Sequence, residues 1–466
     1  MQNLFDEVGS LDKRCYKEFH LSEDILMEHA AEGMASFIRH KFSQNSKIII
    51  VCGSGNNGAD GIALSRLLHK DFNVSLLQAK KVKSPMALLQ TKRSQTLEIP
   101  YINTIEKCDL IVDALVGTGF NGELNTELSS LMQTLNATDA FKIACDIPSG
   151  INSNGNCAKD TFVADTTLTM GALKKSLFLD EAKDFVGAIE VIDLGLSRFI
   201  YERDSSWKLL DFADMQLPFR AQKNSHKGCF GHLGIACGEK SGAAIMSGLA
   251  ALNFGAGLLT LVGYENEQTL HLPYSLMYAH SLPSTSTALA CGMGLGTEFS
   301  DAELSKFLNN QLPLIVDADI FHMQCIQEIL KRDKLVLTPH PKEFCALLKR
   351  LNLADISVEE LQKGRFRYVE LFCQNYPNAV LLLKGANVII GQAEKFFINP
   401  HGSAKLAKGG SGDVLSGLIG ALLAQGYSPL NATISASLAH TKLAQNYTGA
   451  DFSLTPDDLI QGIGDL

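Results

Sequence analysis

Loops in both halves of the sequence carry residue types that chemistry would use. The run Gly53-Ser-Gly-Asn-Asn-Gly-Ala-Asp-Gly61 follows the apolar segment KIIIVC and leads into a helical pattern. Glycines there allow close backbone approach, and exposed N–H groups at a helix start can receive a phosphate. Gly53, Gly55 and Gly58 fit the nucleotide spacing G-x-G-x-x-G, yet Asn56 and Asn57 add amide donors and acceptors that a plain cofactor loop does not need. Asp113 and Asp146 each close an apolar run, and in an open α/β sheet the carboxyl ends of strands border the ligand crevice. The loops that follow are Val116-Gly-Thr-Gly-Phe-Asn-Gly-Glu123 and Ile147-Pro-Ser-Gly150. Carboxylate, amide and hydroxyl oxygens converging on Asn57 would suit a hard cation rather than zinc. Taken singly, each piece also reads as a turn or a helix cap.

In the second half, Ala407-Lys-Gly-Gly-Ser-Gly-Asp-Val-Leu415 stands directly before the apolar segment VLSGLIGALLAQG. Small residues at a helix N-terminus leave backbone N–H groups aligned with the positive end of the dipole, an anion hole for a transferring phosphoryl group. Asp413 falls in the first turn, where a carboxylate serves as general base on an attacking hydroxyl or simply as a favourable N-terminal charge. Lys384-Gly-Ala-Asn-Val388 follows AVLLL, and Thr338-Pro-His-Pro-Lys-Glu343 follows KLVL. The two prolines stiffen the backbone around His340, which reads equally as a rigid-turn residue or a ligand contact.

The elements that must position these loops are short apolar runs alternating with helical periodicity. KIIIVCG, NVSLLQA, DLIVDALVG, FKIACDIPSG, TLTMGAL and AIEVIDLGL form a first series, and GHLGIACG, GLLTLVG, TALACGMGLG, PLIVDADI, KLVLTPH and AVLLLKGANVIIG a second. Strands alternating with helices predict parallel sheets covered on both faces. A helix should precede the first strand, with Leu26, Ala30, Met34, Phe37 and Ile38 on one stripe. Between Ser197 and Lys227 the pattern dissolves into charged and aromatic residues around the sole tryptophan, so two α/β domains are expected, 1–210 and 211–466.

Composition narrows the partners. With 466 residues, 46% of them hydrophobic and 20% charged, the chain has the makings of two large cores. Its 41 basic and 50 acidic side chains leave a net charge of −9, which gives no footprint for a nucleic-acid backbone. Eleven scattered cysteines without a C-x-x-C pair fit reduced thiols in a cytoplasmic protein, and the N-terminus lacks the order of a signal peptide. The uncharged stretch Gly242–Gly263 is long enough for a bilayer, but its Gly, Ala and Ser content and Asn253 predict a buried helix followed by a strand.

Together GSGNNGADG, DALVGTGFNGE and DIPSG, in this order, resemble the NAD(P)H-hydrate epimerases over roughly Leu26–Leu194. The resemblance implies a Rossmann-like three-layer domain. It further implies that Asn56, Asn57, Gly58, Ala59, Asp60, then Gly117, Thr118, Gly119, Phe120, Asn121, Gly122, Glu123, and finally Asp146 hold the hydrated nucleotide. K⁺ would be held by Asn57, Asp113 and Ser149. Where the family has Asn-Asn-Gly-Gly-Asp this chain has Ala59, a methyl expected to narrow the phosphate approach but to be tolerated if φ there is negative.

Residues Gly231–Gly426 resemble the ribokinase-like superfamily, and within it the NAD(P)H-hydrate dehydratases, through GMGLG, VDADIF, LTPHPKEF, LLLKGANVII and KGGSGDVLSGLIGALLAQG. That likeness implies a second three-layer α/β domain. Nucleotide contacts would fall on Lys384, Gly385, Ala386, Asn387, Val388 and Gly412, hydrate contacts on Ala243, Gly296, His340 and Asp413, and Asp413 would be the catalytic base. Lys405, Lys408 and Met293 depart from the family pattern, and Lys408 would add charge beside the anion hole. The fusion of both domains resembles prokaryotic members and implies ADP or ATP with Mg²⁺ as co-substrate, NADHX and NADPHX as substrates, and a homo-oligomer. The alternative is a small-molecule kinase, for a hydroxymethylpyrimidine or a sugar, with a fused nucleotide-binding module.

Overall fold

The computed structural model describes residues 1–120, 122–263, 272–296 and 301–466. They form two compact units, 2–207 and 208–466.

In the first unit seven parallel strands are β1 (Lys47–Cys52), β2 (Asn73–Gln78), β3 (Tyr101–Ile102), β4 (Leu110–Ala114), β5 (Phe141–Cys145), β6 (Thr166–Met170) and β7 (Ala188–Ile192), in the order β3-β2-β1-β4-β5-β6-β7. The helices that cover them include α1 (Glu23–Lys41), α2 (Asn56–Leu68), α3 (Pro85–Thr96) and α4 (Thr126–Ala137). Consecutive residues of β1 point to opposite faces, and both faces are dry. Ile48, Ile50 and Cys52 join Met34, Ile38 and Ile62, whereas Ile49 and Val51 join Met132 and Leu135. This is why a parallel strand reads as an unbroken apolar run. Four of the five stripe residues of α1 are buried, and Phe37 is half-buried.

In the second unit the strands are β8 (His232–Ala236), β9 (Leu258–Val262), β10 (Met277–Ala279), β11 (Ala288–Cys291), β12 (Leu314–Val316), β13 (Leu335–Leu337), β14 (Ala379–Leu383), β15 (Val388–Gln392) and β16 (Lys395–Asn399). Their order is β16-β15-β14-β13-β12-β11-β8-β9-β10, parallel except for the β14-β15-β16 meander. The helices include α5 (Ser241–Asn253), α6 (Pro341–Arg350), α7 (Arg365–Asn375), α8 (Ser411–Ala424), α9 (Pro429–Asn446) and α10 (Pro456–Gly462). Gly242–Gly263 resolves into α5 and β9, and among the described residues no helix is long and apolar enough to cross a membrane. Thirteen residues make α5 far too short for that.

The helices begin in two ways. α1, α3, α4, α6, α9 and α10 are closed by side chains of Ser22, Ser84, Asn125, His340, Ser428 and Thr455. By contrast α2 starts at Gly55 and α8 at Gly410 with no side-chain cap, as do α5 after Lys240 and α7 after Gly364. Their first N–H groups are therefore left for another partner.

Candidate active sites

In the first unit the sheet reverses direction between β1 and β4, the usual place for a ligand crevice. The register sets Cys52 level with Ala114, and Asp113 level with Ala144, so the loops after β1, β4 and β5 emerge side by side. A Cβ on Gly58 would lie 2.3 Å from the Gly53 carbonyl oxygen, so the turn into α2 closes only with glycine there.

Asp113 is fully buried. Its Oδ1 accepts Ser149 Oγ at 2.7 Å and Leu115 N at 3.1 Å, and its Oδ2 accepts Ser149 N at 2.7 Å. Burial nonetheless pushes its pKa up to about 6, outweighing those hydrogen bonds. Ser149 Oγ also accepts Val116 N at 2.9 Å. Asn57 reaches the same segment, 3.5 Å from where a Cβ on Gly117 would stand. Both polar atoms of its amide are buried without a hydrogen-bond partner among the described residues. A buried amide left unpaired costs free energy, so this pair of atoms points to a ligand.

Around that centre, Asn56 is exposed and donates to Glu23 Oε1 at 2.7 Å. Of the loop after β4, Gly117 stands beside Asn57, and Phe120 N donates to Gly117 O at 3.1 Å, while Thr118, Gly119, Gly122 and Glu123 continue the same loop. Asn121 lies outside the described residues. Ala59 is not brought to the crevice. Its methyl is buried with Met27, Ala31, Ala63 and Ala87 and its N–H is bonded to Gly55 O, so the expected narrowing of the phosphate approach does not arise. Asp60, one turn into α2, is half-buried, and burial followed by the charge of Asp146 holds its carboxyl well above the usual range.

Asp146 has φ +70°, a region seldom entered by residues other than glycine. Its Oδ1 accepts Lys174 Nζ at 2.6 Å and Met170 N at 3.0 Å. Lys174 is completely buried and also donates to Thr169 Oγ1 at 2.9 Å and Met170 O at 3.2 Å. Sequence reasoning missed Lys174. The signal available was a lysine four positions beyond the strand TLTM, in the segment GALKK.

In the second unit the reversal falls between β8 and β11, and the ends of β11, β12, β13 and β14 stand in a row. The turn into α8 needs Gly410 at φ +90°, where a Cβ would meet Pro456 Cγ at 2.6 Å. Beneath Gly412 lies an ion pair that the sequence did not reveal. Lys384 Nζ is 2.7 Å from Asp317 Oδ1, whose Oδ2 accepts Ser416 Oγ at 2.8 Å, and a Cβ on Gly412 would stand 3.2 Å from that Nζ. Asp413 is half-buried and its side chain has no hydrogen-bond donor among the described residues. Burial first, then the charge of Asp317, pushes its pKa up to about 6, within reach of a proton acceptor near neutral pH.

The turn Lys384–Val388 joins β14 to β15, and Asn387 is buried within it. Arg365, wholly buried at the start of α7, fastens the turn by donating to Lys384 O at 3.1 Å and Asn387 O at 3.2 Å. Gly296 N donates to Asp319 Oδ2 at 2.9 Å, and Ala243 lies 2.9 Å from where a Cβ on Gly294 would stand. His340 caps α6. Its Nδ1 accepts Glu343 N at 3.2 Å, while His340 N donates to Glu343 Oε2 at 2.8 Å, and its ring remains about half exposed. Met293 is buried in the core, and the Lys405 and Lys408 ammonium groups donate to the carbonyls of Tyr447 and Phe452.

A family model described as NAD(P)H-hydrate dehydratase matches residues 233–464, and one described as YjeF-related protein N-terminus matches 23–176. The bifunctional NAD(P)H-hydrate repair enzyme of Helicobacter pylori is 42% identical over the whole of both chains. That of Coxiella burnetii is 30% identical over 96% of this chain and 95% of its own. A Bacillus subtilis ADP/ATP-dependent NAD(P)H-hydrate dehydratase co-crystallised with ATP and Mg²⁺ is 29% identical, covers 53% of this chain and 92% of its own, and has a TM-score of 0.46.

Proposed function

The chain belongs to the bifunctional NAD(P)H-hydrate repair enzymes, and from that premise we propose how its two crevices divide the work. The crevice at β1/β4, in residues 1–210, interconverts the R and S epimers of hydrated NADH and NADPH. The crevice at α8, in residues 211–466, removes water from the S epimer. The observation that carries the division is the base Asp413 beside an uncapped helix start underlain by Lys384, set against a first crevice that pairs carboxylates with an orphaned amide.

In the second crevice the terminal phosphates of ADP or ATP lie on the N–H groups at the start of α8, with Lys384 beneath and the turn to Val388 beside the nucleotide. Asp413 takes the proton of the 6-hydroxyl, and the oxygen attacks the terminal phosphoryl group and releases AMP from ADP or ADP from ATP. Departure of phosphate from C6, with loss of a C5 proton to the departing phosphate or water, forms the C5–C6 double bond and restores the conjugated dihydropyridine. Phosphorylation is what turns a poor leaving group into a good one. Ala243, Gly296 and His340 border the hydrate. Mg²⁺ fits this donor set, since the charges of Asp319 and Asp413 act on one another and a hard cation held mostly through phosphates needs few protein oxygens. When bound it neutralises the phosphates.

In the first crevice Asn57, Asp113 and Ser149 would hold K⁺. The orphaned Asn57 oxygen and a carboxylate whose burial is costly both fit a monovalent cation, which offsets the charge of Asp113 and orders the loop carrying Asn57. Asn56, Gly58, Asp60, Gly117–Glu123 and Asp146 then receive the hydrate. Eleven cysteines, none of them in a disulfide, suit a cytoplasmic enzyme. The homo-oligomer remains part of this reading by family likeness.

The kinase alternative uses the same base and anion hole and differs in needing a permanent phosphorylated product. Purified chain given NADHX with ADP or ATP should regain the absorbance of the reduced nicotinamide, with release of free phosphate. Separation near residue 210 should give one fragment that epimerises without nucleotide and one that consumes nucleotide only with the S hydrate. A stable phosphoester product and no return of absorbance would overturn the reading in favour of a kinase.

A further inference from the structure

The first crevice holds more charge than substrate binding requires. Asp146 Oδ1 is saturated by Lys174 Nζ and Met170 N, with Thr169 Oγ1 at 3.4 Å, while Oδ2 takes no hydrogen bond among the described residues. All three donors of the buried ammonium are spent on Asp146, Thr169 and Met170. One carboxylate oxygen is thus locked to a fixed cation and the other is left to act. The strained φ of Asp146 is held by its N–H bond of 2.8 Å to Leu168 O. Such strain persists where a site depends on it. On α2, whose start faces the same crevice, Asp60 carries a half-buried carboxyl with no hydrogen-bond partner among the described residues. The charged groups that act on it are Asp146, then Asp12 and Glu23, all of them carboxylates. Asp12 itself is engaged by Tyr201 Oη at 2.8 Å.

We propose that Asp146 and Asp60 are the base and the acid of epimerisation and that Lys174 is the positioning residue that locks Asp146 Oδ1 and aims Oδ2. This rests on the epimerase reading of the first crevice. Two carboxyls whose surroundings differ this way, one beside a buried cation and one crowded by negative charge, are set apart as base and acid. Burial and the neighbouring carboxylates keep the Asp60 proton in place.

The hydrate is a hemiaminal, with the 6-hydroxyl and ring N1 on one carbon. Asp146 Oδ2 takes the hydroxyl proton, the O–C6 bond becomes a carbonyl, and the C6–N1 pair leaves to N1, which receives the Asp60 proton. The products are an aldehyde and an N–H enamine, with Asp146 protonated and Asp60 ionised. Rotation about C5–C6 turns the other carbonyl face to N1, and reversal of the same transfers closes the ring as the opposite epimer. No atom or electron is gained or lost.

The test measures kcat and KM for R-to-S conversion by chromatography of the epimers, in K⁺, on the full chain. Asp60→Asn and Lys174→Ala should each lower kcat at least about a hundredfold, the low end of general acid–base contributions, with KM within about threefold. Propylamine should restore part of the Lys174→Ala rate, because an added ammonium can occupy the vacated space, whereas propanol should not. Asp60→Asn guards against a Lys174 variant that merely unfolds. Near-normal kcat in Asp60→Asn, or equal rescue of Lys174→Ala by propanol and propylamine, overturns the proposal while leaving the epimerase reading intact. A wild-type chain that does not interconvert the epimers removes the reading itself.

Discussion

The two crevices arise from the same architecture and use opposite electrostatics. Each sits where a parallel sheet reverses, beside a helix that begins on glycine without a side-chain cap. In the second unit a half-buried lysine lies under that helix start, where Lys384 and Gly412 together favour an anion that comes and goes. In the first unit the buried lysine is turned away into Asp146, Thr169 and Met170, and a second carboxylate, Asp113, lies buried beside an unpaired amide. On the proposed reading that crevice takes a cation and moves protons. The position of one lysine relative to one uncapped helix would then separate a phosphoryl-transfer site from a proton-transfer site on similar sheets.

The comparison breaks most sharply at Asp413. Asp413→Asn should lower dehydration at least about a hundredfold, since the amide accepts no proton. Nucleotide affinity should hold, because the N–H groups and Lys384 are untouched, and epimerisation should be unaffected. Stopped assays with pure S hydrate and with R hydrate check both halves. Near-normal dehydration would remove Asp413 as base.

Asp113→Ala tests the other side. Epimerisation in K⁺ should fall at least about tenfold, the low end of what losing a supporting group costs a metal site. Rates in K⁺, Na⁺ and Li⁺ should converge in the variant and differ in the wild type, while dehydration of pure S hydrate stays intact. A wild type indifferent to cation would return Asp113 to an ordinary buried turn carboxylate.

The pH profile sharpens the contrast more gently. Asp413, pushed up to about 6, works only when ionised, so kcat/KM for dehydration should be flat above that value. Below it the rate should fall about tenfold per unit as the carboxyl gains its proton. A profile flat down to pH 5 would detach the limb from this residue.

Much of this arrangement was legible in the sequence. Uniformly apolar runs gave the parallel strands, and glycine runs after β1 and before α8 marked both crevices, because close backbone approach leaves a trace in residue type. Charge pairing between distant segments leaves none. Asp317 and Lys384 are 67 positions apart, and Asp146 and Lys174 are 28 apart, so the local motifs that mark Asp146 and Lys384 do not show that each is paired with a distant charge. The same limit hid the role of Arg365 in fastening the nucleotide turn. Ala59 shows the converse. In the loop motif it looks like a ligand contact, but helical periodicity turns its methyl into the core.

The smallest effect should come from the two lysines that depart from the family pattern. Lys408 looks placed to strengthen the anion hole, two residues before Gly410. Its Nζ instead donates to Phe452 O at 2.8 Å, on the exposed surface. Lys405 Nζ donates to Tyr447 O at 3.2 Å and stands 3.4 Å from Asp451, which is itself largely exposed. Both ammonium groups tie the loop before α8 to the segment ahead of α10. Contacts of this kind are worth about 0–1 kcal/mol each in water and weaken with salt. Lys405→Ala and Lys408→Ala should therefore change the nucleotide KM by less than about threefold, since roughly 0.6 kcal/mol corresponds to that factor. Their thermal unfolding should shift slightly downward at low salt and converge on wild type at high salt. A tenfold rise in KM for either variant would mean that its ammonium leaves its carbonyl for the phosphates when nucleotide binds, and the two crevices would then differ by a movable charge as well as a fixed one.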